Sequence, residues 1–236
     1  MRPVGAGTAL SPLAAGQEVM LSLAGLSGIL SVDPAAQTVT VLAGTPLGEL
    51  AAQLESRGLT LAGLGGHAGQ TVGGALSSGA HGSSLSVPRL AATATELRLV
   101  DGAGQPQTLT PEHPHFAAAA LSLGALGVLT SVTLRTLPAQ HLQVETRPLA
   151  WHEALALAPE YAQGAPYATL TWRPQQSDDL AFLLRRAWPT AAQQPLSTGP
   201  GLMDGAQQAL TGDTAFSPLP RPCVRRCSGP KRRLPS

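Results

Sequence analysis

Between residues 66 and 84 the chain gathers Gly66, Gly69, Gly73, Gly74, Gly79 and Gly82, among neighbours that are mostly small or carry a hydroxyl. Glycine loses more conformational freedom on folding than any other residue, so a stable fold concentrates it where backbone bends sharply or approaches something closely. Successive N–H groups without bulky side chains form a concave site for an anion such as a phosphate. Thr71, Ser77, Ser78, Ser83 and Ser84 add short donors able to reach phosphate or ribose oxygens. A flexible Gly/Ser linker is the plain alternative. Val72, Ala75 and Leu76 argue against it, because a linker has no use for spaced apolar residues. The segment reads as a loop that cradles a dinucleotide.

Composition narrows the classes further. A length of 236 residues allows one large domain or two small ones. The apolar fraction of 43% is ordinary, whereas the charged fraction of 12% is about half the usual share. With a net charge of +1, nothing global points to nucleic acid or to an anionic membrane. Aromatic residues make up only 3%, too few for base-stacking platforms. Alanine, leucine and glycine must then build the core. The opening Met1-Arg2-Pro3-Val4-Gly5-Ala6-Gly7 has no apolar signal region, and the apolar stretch 116–132 is interrupted by Gly124 and Gly127 and is too short for a bilayer. The expectation is a cytoplasmic protein with no integral membrane segment and no nucleic-acid partner. Cys223 and Cys227 lack a second ligand pair, so no metal is expected.

Periodicity predicts the elements around the loop. Arg2-Pro3-Val4 reads as a strand end, residues 19–23 as a strand, and residues 29–32 and 38–42 as a hairpin about Asp33-Pro34. Thr45 and Pro46 read as the N-cap and first position of a helix whose apolar face is Leu47, Leu50, Ala51 and Leu54, stopped by Gly58. Residues 95–100 alternate as a strand and turn at Asp101-Gly102. Residues 111–121 and 151–160 read as helices, residues 128–137 and 168–172 as strands, and residues 182–187 are ambiguous. The stretch from Pro189 has no periodicity and is Pro-rich. It reads as a disordered or non-native tail; a nucleic-acid contact through its Arg221, Arg225, Arg226, Lys231, Arg232 and Arg233, or a shifted reading frame, are the alternatives.

Single motifs are weak. Gly63-Leu64-Gly65-Gly66-His67-Ala68 fits the loose dinucleotide pattern but lacks its strand-to-helix context. No nucleoside-triphosphate loop and no nucleophile elbow occur. His67 and His81 are either bases or hydrogen-bonded loop residues, and His113 and His115 flank Pro114 at a helix start. Arg173, beside Trp172, would either fix a substrate oxygen or serve in structural pairing.

Four stretches, residues 3–12, 38–44, 70–84 and 123–130, stand in an order and at separations that carry a family likeness. Together they closely resemble the FAD-binding domain of the vanillyl-alcohol-oxidase-type flavoproteins, nearest to the sugar-1,4-lactone and alditol oxidases. The likeness covers residues 1–136 well and extends weakly to residues 170–174. The resemblance implies an α+β fold: a two-subdomain FAD-binding domain over residues 1–137, then a partial substrate domain over 138–188, with 189–236 as the tail. It implies that Val4, Gly5, Ala6, Gly7, Thr8, Ala9, Leu10 and Ser11 form the first loop around the FAD pyrophosphate. Gly69, Gln70, Thr71, Val72, Gly73 and Gly74, with Ser77, Ser78, Gly79, His81 and Gly82, would form the second, beside the isoalloxazine. Gly127 and Val128 would line the adenosine half through backbone contacts. Ser77, Ser78 and Arg173 are the candidate substrate contacts; no catalytic residue is assigned.

The implied reaction passes a hydride from an alcohol carbon of a polyol or sugar lactone to flavin N5, and then electrons to oxygen or another acceptor. Two departures from the pattern matter. Many members carry a flavin-linking His where this chain has Thr8, so dissociable FAD is expected. The chain also lacks a strand–helix unit before Arg2 and most of a substrate domain after Pro174. It is therefore expected to be truncated, with an inactive FAD-binding remnant as the alternative. Cell-wall-precursor reductases and cytokinin dehydrogenases share the cofactor fold, but Ser78-Gly79-Ala80-His81-Gly82-Ser83 favours the lactone and alditol branch.

Overall fold

In the computed structural model, which describes residues 1–14, 19–172 and 182–190, one long strand organises the first two-thirds of the chain. That strand, β8 (Val128–Pro138), is rich in β-branched residues and pairs antiparallel on both sides. On one side lies β4 (Thr38–Leu42), which continues to β3 (Ile29–Asp33) through the predicted hairpin. On the other lies β6 (Ala94–Val100), followed by β7 (Pro106–Leu109). The order is β3-β4-β8-β6-β7, and the short β5 (Leu59–Leu61) pairs with the far end of β8. Ahead of this sheet, β1 (Arg2–Val4) and β2 (Met20–Ser22) form a separate parallel pair.

The core follows from the side-chain periods. Val39 and Val41 alternate on β4 and are fully buried. Leu47, Leu50 and Leu54, spaced to share one face of α1 (Leu47–Glu55), are fully buried as well. Val72, Ala75 and Leu76 of α2 (Val72–Ser77) complete it against β4 and β8. The buried set is aliphatic, as the shortage of aromatics requires.

Three local expectations are corrected. The cap of α1 is Pro46, extended at ψ 136°, and Thr45 does not cap the helix. Its hydroxyl instead donates to the Leu42 carbonyl at 2.7 Å and accepts the Gly28 N–H at 2.9 Å, tying the hairpin to the helix entry. The helix expected over residues 111–121 shrinks to α3 (Phe116–Ala120). A residue before proline is pushed out of the helical region, and here His113 precedes Pro114, so turns closed by Thr110 and His113 carbonyls precede α3. The glycine-rich segment is not loop throughout, because α2 lies inside it, capped by the Thr71 hydroxyl, which accepts the Gly74 N–H at 3.3 Å.

A second sheet follows β8. Its order is β10-β11-β9, from β9 (His141–Leu149), β10 (Tyr167–Trp172) and β11 (Phe182–Thr190), all antiparallel. The ambiguous stretch 182–187 is thus strand. Helix α4 (Trp151–Gln163) packs on β10 and β11. The Ala168 N–H donates to the Ser83 carbonyl at 3.0 Å, joining this sheet to the glycine-rich segment.

Two features of the sheet ends yield predictions. Asp101 closes the β6–β7 turn: its carboxylate accepts N–H bonds from Gln105 and Ala103 and one from the Gln107 amide, each at 2.9 Å. The Gln105 backbone bond, chiefly, lowers its pKa below the ordinary carboxylate value. A lowered folded-state pKa gives stability that is present above the unfolded pKa and lost as pH falls through the folded one. Asp101→Asn is therefore expected to lower the melting temperature at neutral pH and to narrow its gap from wild type in acid. A gap constant across an acid-to-neutral melting series would refute this. Thr136, in β8, is buried with no hydrogen-bond partner for its hydroxyl among the described residues. Thr136→Val, which keeps the shape and removes the unmatched polar atom, should stabilise by about 1 kcal/mol in urea titration.

Candidate functional site

Above the join between the β1–β2 pair and α2 lies a cleft of about 450 Å³. It gathers Val4, Gly5, Ala6, Gly7, Thr8, Ala9 and Ser11 from the first loop, Gln70, Thr71, Gly73, Gly74, Ser77 and Ser78 from the second segment, and Gly127. Several residues expected with them lie outside its lining. Leu10 is 98% exposed, and Val72 lies on the buried face of α2, in the core. Gly69, Gly79, His81, Gly82 and Val128 also lie off the lining; the His81 ring nitrogen Nδ1 sits 2.9 Å from the Gly82 carbonyl oxygen. Arg173 falls outside the described residues. The lining adds Arg2, Pro3, Leu13, Leu23, Leu123, Gly124 and Leu129. Leu123 and Gly124 belong to a motif already quoted, but Arg2 and Leu23 enter only because β1 pairs with β2.

The two loops play different parts. In the second segment the backbone donors are consumed internally. Val72 N–H donates to the Thr45 carbonyl at 2.8 Å, Gly73 N–H to Ala43 at 2.7 Å, and Gly74 N–H to the Thr71 hydroxyl. This departs from the expectation that these glycines form an anion nest. Their role is close approach: a Cβ on Gly73 would sit 3.0 Å from the Ala43 carbonyl, and one on Gly74 would sit 3.0 Å from Thr71 Oγ1. In the first loop the N–H groups of residues 5–8 have no partner among the described residues. Gly7 there takes φ +68° with open space around it. Consecutive free N–H groups about a left-handed glycine are the makings of an anion-binding concavity.

This arrangement fits a flavin dinucleotide on its own terms. Donors unpaired among the described residues suit a pyrophosphate, and exposed Gly74, with Ser77 and Ser78 nearby at the end of the same helix, suits a flat group lying close to backbone. No described lining residue carries a carboxylate that would repel the phosphates. Among the described residues no His, Cys, Asp or Glu cluster is placed to hold a metal ion.

Comparison with known proteins decides the class. Residues 1–110 match the family model of the FAD binding domain. The chain is 36% identical over 166 residues to the L-gulono-1,4-lactone dehydrogenase of Mycobacterium tuberculosis, covering 70% of this chain and 38% of that protein. It is 31% identical over 180 residues to the L-gulonolactone oxidase of Bos taurus, covering 75% of this chain and 41% of that protein. Against the alditol oxidase of a Streptomyces species the identity is 37% over 131 residues, with 54% and 32% covered. The chain thus spans less than half the length of these relatives. Cholesterol oxidase from Brevibacterium sterolicum shares the fold, with a TM-score of 0.70 at 23% identity over 82% of this chain and 41% of that one. The family likeness read from the four motifs is borne out, and with it the FAD-binding part of the fold. Among the described residues no helix is long and apolar enough to cross a membrane.

Proposed function

We propose that the chain is the FAD-holding part of an oxidoreductase acting on a CH–OH group of a sugar lactone or alditol, located in the cytoplasm. The observation that carries this reading is the cleft, which is lined both by residues 5–8, whose N–H groups have no partner among the described residues, and by Gly73 and Gly74. Bound there, FAD would supply the redox chemistry, taking a hydride from the alcohol carbon and passing electrons to oxygen or another acceptor. The chain's own contribution is placement. The first loop holds the pyrophosphate, exposed Gly74 lets a flat ring lie against backbone while Gly73 lets α2 approach Ala43, and Ser77 and Ser78 offer hydroxyls to the ring edge or substrate. Ser78 already donates to the Gly74 carbonyl at 2.8 Å, which leaves Ser77 the freer of the two. The relatives' names, lactone dehydrogenase, lactone oxidase and alditol oxidase, support a small polyhydroxylated substrate. We place the boundary between the FAD-binding and substrate-facing parts at residues 137–138, where β8 gives way to the second sheet.

The test is the visible spectrum of the purified 236-residue chain after incubation with FAD and desalting. Retained flavin absorbance, bleached anaerobically by gulonolactone, galactonolactone or an alditol, is the expected result. Retention without bleaching by any of these would reduce the chain to a binding remnant, and no retention would end the flavin reading. The same preparation tests attachment. Thr8 lines the cleft, and a Thr hydroxyl does not replace a ring nitrogen as the flavin-linking atom. Acid precipitation is expected to leave all yellow colour in the supernatant; a yellow pellet would contradict dissociable FAD.

A further inference from the structure

Arg2 is the one charged residue lining the cleft among the described residues, and the sequence motifs did not single it out. It lies on β1, directly before the loop whose N–H groups have no partner among the described residues. The strand is held in place by the Arg2 N–H donating to the Val19 carbonyl at 2.9 Å, and by the Leu23 N–H donating to the Val4 carbonyl at 3.0 Å. Arg2 is half-buried and has no ion-pair or side-chain hydrogen-bond partner among the described residues. A guanidinium on a residue that lines a concavity, with no carboxylate partner among the described residues, is short of an anion.

We propose that Arg2 is a cofactor-binding residue that neutralises the phosphate portion of the dinucleotide, acting beside the backbone donors of residues 5–8. This rests on the flavin reading and extends it, since backbone N–H groups alone carry only partial charge. A pyrophosphate bears charge on both phosphoryl groups. In a cleft whose other lining side chains are neutral among the described residues, the guanidinium then supplies a full countercharge. The planar fork also selects phosphate geometry over a point charge.

The proposal separates the phosphate-bearing part of the ligand from the ring. Titrations of the full chain with FAD, ADP and riboflavin should show that Arg2→Gln weakens FAD and ADP by about tenfold each and leaves riboflavin unchanged. Arg2→Lys should recover part of the loss. In the wild type, added salt should weaken ADP more than riboflavin. If Arg2→Gln does not fold, this salt comparison and the lysine variant decide. Equal affinity of wild type and Arg2→Gln for FAD and ADP, or no salt difference between ADP and riboflavin, overturns the assignment while the flavin reading stands. A wild-type chain that takes up no FAD overturns both.

Discussion

Replacing Gly127 with alanine is expected to destabilise the chain by about 3 kcal/mol. Gly127 takes φ +139°, a conformation that side-chain-bearing residues rarely adopt. A Cβ there would fall well inside 3.0 Å of the Val100 carbonyl oxygen and at 3.1 Å from Asp101 Cα. Both neighbours are backbone, fixed by the β6–β8 ladder in which Val100 pairs with Val128, so neither can swing aside. Relief would require breaking the end of that ladder, beside the Asp101 turn. Urea titration should show a lower midpoint with an unchanged slope, the mark of lost stability without a changed unfolded state. Gly102→Ala is the control, because a Cβ there meets nothing within 4 Å. It should stay within about 0.5 kcal/mol of wild type. Equal midpoints for the two variants would mean that the approach at Gly127 is not needed.

The two positions differ in a way the sequence does not display. Gly102 sits in an Asp-Gly turn and looks the more constrained, whereas Gly127 lies directly before the strand read over residues 128–137. What distinguishes them is contact across the sheet, set by pairing of residues far apart in the chain. The same division runs through the molecule. Val39 and Val41, and Leu47, Leu50 and Leu54, were legible because strand and helix periods repeat locally. The first loop and the segment around Gly73 and Gly74 were legible as motifs, since close backbone approach leaves small residues behind. Thr45 was misread as a cap because its hydroxyl is taken by Gly28 and Leu42, partners that only the folded hairpin supplies. The glycine content of residues 66–84 concealed α2, whose intrinsic helix propensity is poor. Its placement comes from burial of Val72, Ala75 and Leu76 and from the donors that Thr45 and Ala43 accept. Arg2 and Leu23 became visible as cleft residues only through the parallel pairing of β1 with β2.

Alanine at Gly5 should weaken FAD binding by roughly ten- to a hundredfold while leaving most of the fold intact. The added Cβ would fall well inside 3.0 Å of Thr71 Oγ1 and at 3.4 Å from Thr71 Cβ. Thr71 is buried and its hydroxyl already caps α2 by accepting the Gly74 N–H. Two relaxations are open. Either Thr71 rotates and gives up the cap, worth about 1 kcal/mol, or the first loop moves off α2 and widens the cleft. Overpacking of this kind costs about 1–3 kcal/mol, and each 1.4 kcal/mol of that falling on the bound state is about tenfold in affinity. The double variant tells the two apart. Thr71→Ala removes the oxygen that the new methyl would strike, so adding it to Gly5→Ala should restore FAD affinity toward that of Thr71→Ala alone. Purely additive losses in this cycle would show that the two residues do not press on each other. A Gly5→Ala chain that binds FAD like wild type would remove the close approach of first loop and α2 from the account of the cleft.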